Sequence, residues 1–328
     1  MSVYPLRFAP ILKAKVWGGD RLGSWGKKLP SDQRIGESWE LADLPDSIDG
    51  GRSVIANGPL AGRTLREAMV QEGGIMGEAS LMEGGFPLLI KFLDAGDNLS
   101  VQVHPDEAWV ARHPQDHLKS EAWVVLDAKP GALIYRGLAD GTTVNSLREA
   151  VESGEVPPCL IAIPAVAGDC HYLPSGTCHA LGAGVLVAEV QTPSDTTFRV
   201  WDWGREGREM HLDQALACID FTGAAAEASP SPMLKSGPFA STLLTQTPYF
   251  SIERIEAVED AAMPLVMDAT PSVLMVLEGE MAIEHEHGFD APRGTTVLLP
   301  AELRAALLQM PSGSVVLRID LPGPIRLA

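Results

Sequence analysis

The sequence predicts a mainly β protein. Short apolar runs recur along most of the chain, and Gly and Pro residues separate them. Such spacing is typical of a β-sandwich or a β-barrel. The chain has 328 residues, 45% of them hydrophobic, so it can bury a sizeable core and is expected to form two packed modules.

Most of the predicted strands lie in the first 205 residues. Turn residues bound these apolar runs, at 86–92, 99–104, 122–127, 132–135, 171–173, 185–190 and 197–201. Two stretches predict helices instead. Residues 106–112 follow Pro105 and carry acidic residues in their first turn, and residues 143–152 begin at a plausible N-cap, Thr143.

A segment of small residues and Pro divides the chain. Residues 223–235 predict a linker between an N-terminal module, 1–222, and a C-terminal module, 236–328. Strands resume in the second module, at 272–277, 279–284 and 295–299, with Gly and Pro as boundaries. No clean internal sequence repeat relates the two modules.

Charge and cysteine content exclude several classes of protein. The net charge of −18 disfavours nucleic acid and anionic membranes as partners, and an anionic substrate would need a local cluster of Lys and Arg. The four cysteines show no Cys-x-x-Cys spacing, so we expect reduced thiols. No signal-peptide core and no run of ~18 uncharged apolar residues is present, so we expect a soluble, cytoplasmic protein.

Two polar residues stand two apart in the apolar run 99–104. Strand alternation places the amide of Gln102 and the imidazole of His104 on one face, with Val101 and Val103 on the other. This arrangement fits either a satisfied polar pair or two ligands of a metal ion. Glu121 follows His104 by 17 residues and His179 lies further downstream, so the donors of a four-ligand divalent site are present.

The runs 86–95, 99–106, 119–123 and 189–203 occur in an order that resembles the type I phosphomannose isomerases, zinc-dependent enzymes of the cupin superfamily. The resemblance extends from 17–19 and 36–40 to about residue 203, and the chain length is similar to that of the shorter bacterial form. It implies two cupin-like (jelly-roll) β modules with a few inserted helices, the second without metal. It also implies interconversion of mannose 6-phosphate and fructose 6-phosphate through a metal-stabilised enediolate.

The resemblance also implies roles for individual residues. One Zn²⁺ per chain would be held by Gln102, His104, Glu121 and His179, although such ligands also accept manganese, cobalt or iron. Arg199 and Lys119 would be catalytic, and Lys91, Ser100 and Glu189 would bind the sugar phosphate. Two groups remain candidates for the proton-transfer base, a metal-bound water and Lys119.

Other interpretations remain open at this stage. One is a non-catalytic cupin that binds sugar phosphates, and another is a metal-dependent cupin oxygenase. His285 and His287 have the His-x-His spacing of many cupin metal sites, but they are predicted to lie at a solvated hairpin end without further ligands. Cys178, beside His179, is interpreted as a small buried residue rather than a nucleophile. The sequence leaves open whether the chain is a monomer or a homodimer.

Overall fold

The computed structural model describes residues 3–79, 81, 85–222, 232–267, 269–303 and 305–322. Residues 223–231 of the predicted linker lie outside these ranges. The first part of the chain contains the strands β1 (Leu6–Arg7), β2 (Ile11–Gly19), β3 (Ile35–Leu41), β4 (Leu89–Asp94), β5 (Val101–Val103), β6 (Glu121–Ala128), β7 (Leu133–Leu138), β8 (Leu160–Pro164), β9 (Cys170–Leu173), β10 (His179–Leu181), β11 (Val185–Gln191) and β12 (Phe198–Trp201).

The second part of the chain adds ten strands. They are β13 (Leu234–Ser236), β14 (Phe239–Gln246), β15 (Ser251–Ala257), β16 (Ala261–Val266), β17 (Ser272–Glu278), β18 (Glu280–Glu284), β19 (Asp290–Pro292), β20 (Thr296–Leu299), β21 (Ala305–Met310) and β22 (Val315–Asp320). The α-helices of the described residues all belong to the first part, and they are α1 (Leu65–Gln71), α2 (Glu107–Val110), α3 (Val144–Ser153) and α4 (Leu212–Cys218). The predicted fold class, mainly β with a few inserted helices, is confirmed.

Several predicted elements differ from the structure at their ends, and two of these differences have a clear physical or structural description. The run 86–92 becomes a strand only at Leu89, because the Phe86 N–H donates to the carboxylate of Asp43 (2.9 Å) and Pro87 has no N–H to donate. Helix α2 is a single turn, shorter than the predicted 106–112. The predicted N-cap of α3 is confirmed, since the Thr143 hydroxyl accepts from the backbone N–H of Ser146.

Four antiparallel sheets form two barrels. In the N-terminal barrel a five-stranded sheet, β12-β5-β10-β7-β8, faces a six-stranded sheet, β2-β3-β4-β11-β6-β9. In the C-terminal barrel a seven-stranded sheet, β1-β20-β17-β22-β15-β14-β13, faces a four-stranded sheet, β16-β21-β18-β19. Strand β1 thus joins a sheet of the C-terminal barrel although it lies at the start of the chain. The predicted module limits, 1–222 and 236–328, stay a prediction.

Buried apolar side chains fill three spaces between these layers. One cluster lies inside the N-terminal barrel and one inside the C-terminal barrel. The largest joins the barrels, because the outer face of the six-stranded sheet packs on the outer face of the seven-stranded sheet. Helices α2, α3 and α4 cover the outside of the five-stranded sheet. No helix among the described residues is long and apolar enough to span a membrane.

Candidate active site

Strand register places the candidate residues in two rows inside the N-terminal barrel. Arg199, Gln102 and His179 lie directly opposite one another on β12, β5 and β10, so their side chains share one face of the five-stranded sheet. In the same way Lys91 and Glu189 share a row with Trp123 on the six-stranded sheet. The two rows meet where the Trp123 ring contacts the His179 ring edge-on, at 5.3 Å between centroids.

Three buried side chains converge between the rows. His179 Nε2 lies 3.1 Å from Glu121 Oε1, and His104 Nε2 lies 3.5 Å from Glu121 Oε2. All three residues are at most 1% exposed, and their donor atoms lie within 4.8 Å of one another. The structure therefore brings together the two imidazoles and the carboxylate that the sequence analysis named as ligands.

The second nitrogen of each imidazole indicates its tautomer. His104 Nδ1 lies 3.0 Å from the carbonyl oxygen of Thr196, and His179 Nδ1 lies 2.8 Å from that of Thr177. A carbonyl oxygen only accepts, so both Nδ1 atoms carry a proton, and each Nε2 atom is the ring nitrogen that faces Glu121. This is the second-shell pattern of metal-binding histidines.

The charge state of these groups also fits a metal ion. Burial, followed by the nearby Lys119 ammonium, lowers the pKa of His104 to about 3, so its imidazole is neutral. Burial works to raise the pKa of Glu121, but the Lys119 charge and the contacts with His104 and His179 together outweigh it, and the pKa falls well below its usual range. His104 Nε2 and Glu121 Oε1 have no hydrogen-bond partner. Two imidazoles and one ionised carboxylate that converge on one point suit a divalent cation.

Gln102 lies beside this cluster. Its amide nitrogen is 3.3 Å from His179 Nε2, and its amide oxygen is 3.4 Å from the Ser100 hydroxyl. A 180° rotation of the amide would exchange the two atoms and direct the oxygen toward the cluster. Gln102 therefore lies next to the three ligands, and its amide oxygen would face them in the rotated form.

A cavity of about 260 Å³ opens beside the cluster and reaches Gln102 and Ser100. Its charged lining consists of five basic and three acidic side chains: Lys15, Lys91, Lys119, Arg199, Arg208, Glu37, Glu189 and Asp195. The excess of two positive charges reverses the sign of the chain's net charge at this place. An anionic ligand therefore meets a locally favourable field.

Lys91 is buried rather than exposed, at 6% of its surface. Its ammonium lies 2.9 Å from Glu189 Oε1 and donates to Gln191 Oε1 at 2.7 Å. Burial works to lower the pKa of Lys91, but the charges of Glu189 and Glu37 outweigh it and the pKa is raised. Lys91 thus remains a cation and holds the carboxylate of Glu189 in a fixed position.

Lys119 is also buried, with 5% of its surface exposed. Its ammonium lies 2.8 Å from Glu121 Oε2, and the residue lines the cavity. Lys119 therefore connects the ligand cluster to the space that a substrate would occupy.

Arg199 is half-buried on the opposite wall. Its guanidinium donates to the carbonyl oxygen of Glu209, and burial, followed by the charge of Arg208, lowers its pKa. Arg208 in turn donates to both carboxylate oxygens of the buried Asp202, at 3.0 and 3.2 Å. Arg205 binds the same carboxylate, so Asp202 fixes two arginines close to Arg199.

Glu37, Lys15 and Arg208, to which the sequence analysis gave no role, also line the cavity. Glu37 accepts a hydrogen bond from Trp39 Nε1 at 2.6 Å and pairs with Lys15 at 2.9 Å. Burial works to raise its pKa, but Lys91 and Lys15 outweigh it and lower the pKa of Glu37 to about 2. Glu37 lies in a run already noted for its resemblance, whereas Lys15 and Arg208 carry no local signal because only long-range pairing brings them to the cavity.

Other histidines lie outside the ligand cluster. The His113 ring stacks on Trp109 at 3.9 Å, and His211 precedes α4. His285 and His287 lie in the turn after β18, where the His287 N–H donates to His285 Nδ1. Among the described residues no third ligand joins these two, and the single cluster of potential metal ligands is the one at Glu121.

The chain is similar in sequence and fold to known proteins. Residues 6–124 match the family model of phosphomannose isomerase type I, catalytic domain. The chain is 35% identical over 309 residues to mannose-6-phosphate isomerase of Bacillus subtilis, across 92% of this chain and 94% of that protein. It is 36% identical over 254 residues to mannose-6-phosphate isomerase of Streptococcus mutans, across 76% and 77% of the two chains. The crystal structure of mannose 6-phosphate isomerase from Bacillus subtilis matches with a TM-score of 0.86 at 28% identity, covering 97% of this chain and 99% of that one. This likeness confirms the cupin-type fold.

Proposed function

Because the chain belongs to the type I phosphomannose isomerases, we propose that it interconverts mannose 6-phosphate and fructose 6-phosphate with one zinc ion per chain. Its ligands would be Gln102, His104, Glu121 and His179. One observation carries the proposal: three buried ligands of suitable protonation converge beside a cavity whose lining is locally positive.

The charges of the cavity indicate how a sugar phosphate would be oriented. Lys91 and Lys119 pair with Glu189 and Glu121 next to the ligand cluster, so we assign both lysines to the sugar end of the cavity. We assign the phosphate to Arg208 and Lys15, which line the same cavity. Glu189 and Ser100 lie toward the ligand cluster, so we assign them to the hydroxyls of the sugar.

The isomerisation moves a hydrogen between C1 and C2 and develops negative charge on the two oxygens. When bound, the metal acts as a Lewis acid that polarises the carbonyl and offsets this charge. Arg199, opposite Gln102 on the neighbouring strand, adds a fixed positive charge and a rigid donor fork that stabilise the enediolate. The ion pair with Lys91 holds the Glu189 carboxylate in place, so Glu189 would accept hydrogen bonds from the sugar and fix its orientation.

We assign the proton transfer to Lys119. Its buried Nζ lies at the boundary between the ligand cluster and the cavity, where the reacting carbons would be bound. Lys119→Met, which keeps the length of the side chain, should stop exchange of the C2 hydrogen with solvent while the metal stays bound. Exchange at an unchanged rate in that variant would assign the proton transfer to a water molecule instead.

Turnover with and without metal tests the function as a whole. Protein stripped by a chelator should not convert mannose 6-phosphate, and one equivalent of zinc should restore the conversion. Mannose without phosphate should be a very poor substrate, and added salt should weaken substrate binding by screening. Metal-loaded protein that binds mannose 6-phosphate without converting it would be a sugar-phosphate-binding cupin, and the proposal would be wrong.

A further inference from the structure

A second cavity, of about 300 Å³, lies where the two barrels meet. One wall comes from residues 7–10 and 25–27 together with Glu40 and Ala56, and the other comes from residues 292–296. None of the residues that line the active-site cavity lines this one. We call it the junction cavity, and its volume is at the lower end of the range of small-molecule pockets.

The charge of the junction cavity is positive although the chain is acidic. Its charged lining consists of Arg7, Lys27, Arg293 and Glu40. Lys27 and Glu40 are both buried and neutralise each other at 2.7 Å, so the two arginines leave an excess of two positive charges. Within the part of the chain that the structure describes, neither arginine has a carboxylate partner.

Aromatic rings hold the two guanidinium groups in place. Arg293 lies over the ring of Trp25 at 4.0 Å, and Arg7 lies over the ring of Phe289 at 5.2 Å. Such stacking uses the face of a guanidinium and leaves its N–H donors in the plane, where they can bind an oxyanion in a bidentate manner. The donors are thus ordered before any ligand arrives.

A buried hydroxyl and a fixed wall complete the cavity. Thr296 is 4% exposed, and its hydroxyl has no hydrogen-bond partner, an arrangement that is unfavourable unless an acceptor or donor is supplied. Lys27 donates to the carbonyl oxygen of Gly294 at 2.8 Å and so connects the two walls. The remaining lining is apolar, from Phe8, Pro10 and Pro292 among others.

We propose that the junction cavity is a second binding site, for a phosphate monoester of a small organic group. Arg7 and Arg293 would bind the phosphate oxygens, Thr296 would add a hydrogen bond, and the apolar wall would contact the organic group. Because its walls belong to both barrels, a bound ligand stabilises their association and raises the melting temperature. This site is independent of turnover at the active site.

Equilibrium dialysis of the metal-loaded protein with inorganic phosphate and with phenyl phosphate tests the proposal. We expect two sites per chain, with phenyl phosphate bound more tightly than phosphate at the junction cavity. Arg293→Gln and Thr296→Val should each weaken that site, by about tenfold or more for Arg293→Gln, and should abolish the associated rise in melting temperature. Arg208→Gln should weaken only the other site.

Arg63→Gln is the matched control, since Arg63 is also exposed but does not line the cavity. Thr296→Val keeps the shape of a buried residue while it removes only the hydroxyl, so a loss of binding there does not reflect misfolding. A single phosphate site per chain, or a second site unchanged by both Arg293→Gln and Thr296→Val, would overturn the proposal. Equal affinity for phosphate and phenyl phosphate would exclude the ester.

Discussion

The two barrels are built alike but enclose different side chains. Between the sheets of the N-terminal barrel lie the charged and polar rows around His179 and Lys91, above an apolar layer. Between the sheets of the C-terminal barrel the buried cluster is apolar, with Leu274, Met281 and Leu308 among its members. Each buried charge of the first barrel must be compensated by a partner, whereas the second barrel needs no such compensation.

This difference places the proposed chemistry on the inward faces of the N-terminal barrel. The C-terminal barrel contributes packing, because its outer sheet forms half of the largest apolar cluster. Its one His-x-His pair lies on a turn, with the His287 ring against Tyr4 at 5.1 Å rather than facing the interior. Substitutions in the two barrels should therefore separate turnover from stability.

The largest effect is expected when candidate metal-binding histidines are replaced, first in the N-terminal barrel and then in the C-terminal barrel. His104→Ala should lose the metal and lower turnover by about a thousandfold or more, since a Lewis-acid metal supplies several kcal/mol. The double variant His285→Ala with His287→Ala should keep both. Metal per chain by elemental analysis, measured beside turnover, checks this. The reverse pattern would move the active site to the C-terminal barrel.

Arg199→Ala should have the next largest effect. It removes a charge that acts on the enediolate, so kcat should fall by about a hundredfold to a thousandfold while metal content stays normal. Arg199→Lys should rescue little, because lysine lacks the rigid donor fork. An Arg199→Ala protein that kept more than about a tenth of wild-type kcat, a change below ~1.4 kcal/mol, would contradict the assigned role.

Truncation of a core side chain in the C-terminal barrel should lower stability and leave turnover nearly unchanged. Leu308 is fully buried and lies opposite Met263 and Ile283 on the neighbouring strands. Leu308→Ala should lower the free energy of unfolding by about 2–5 kcal/mol through lost burial and a cavity. Turnover per folded molecule should stay within about twofold. Chemical denaturation beside active-site titration measures both, and a selective loss of kcat would show that the barrels are coupled.

The buried carboxylate of Glu37 in the N-terminal barrel should make the free energy of unfolding depend on pH. The pKa of Glu37 is lowered to about 2 from the usual 4.5, so its stabilisation is complete above pH 4.5 and is lost as the pH falls toward 2. This lowering of the pKa, from 4.5 to about 2, corresponds to roughly 3–4 kcal/mol. Denaturation curves from pH 7 to pH 3 should therefore converge for wild type and Glu37→Gln. Leu308→Ala removes no charge, so its free energy of unfolding should change with pH in parallel with that of wild type. The same parallel change in Glu37→Gln would contradict the lowered pKa of Glu37.

The sequence predicts some features of the fold and of the candidate site, but not others. Strand alternation alone places Gln102 and His104 on one face, because that relation is local to three residues. Glu121 and His179 reach the same point only through pairings of β6 and β10 with distant strands, and the resemblance supplied them. Lys15 and Arg208 were not predicted, since β2 and the loop before α4 take their positions from long-range contacts. The sheet contact between the barrels leaves no signature in any single strand.

The smallest effect is expected at Cys178. This residue tests whether the inner and outer faces of the same chain segment differ, since its neighbour His179 faces the barrel interior. Cys178 adjoins the ligand His179 but is 1% exposed and packs in the outer cluster with Val101 and Leu147. Burial raises the pKa of its thiol to about 12, so almost no thiolate exists at neutral pH. Cys178→Ala should therefore keep metal content and turnover within about twofold and destabilise the fold by only ~1 kcal/mol. Alkylation of Cys178 in the folded protein should be slow. If Cys178→Ala lowered kcat by more than about twofold, the outer face of the barrel would also take part in the reaction.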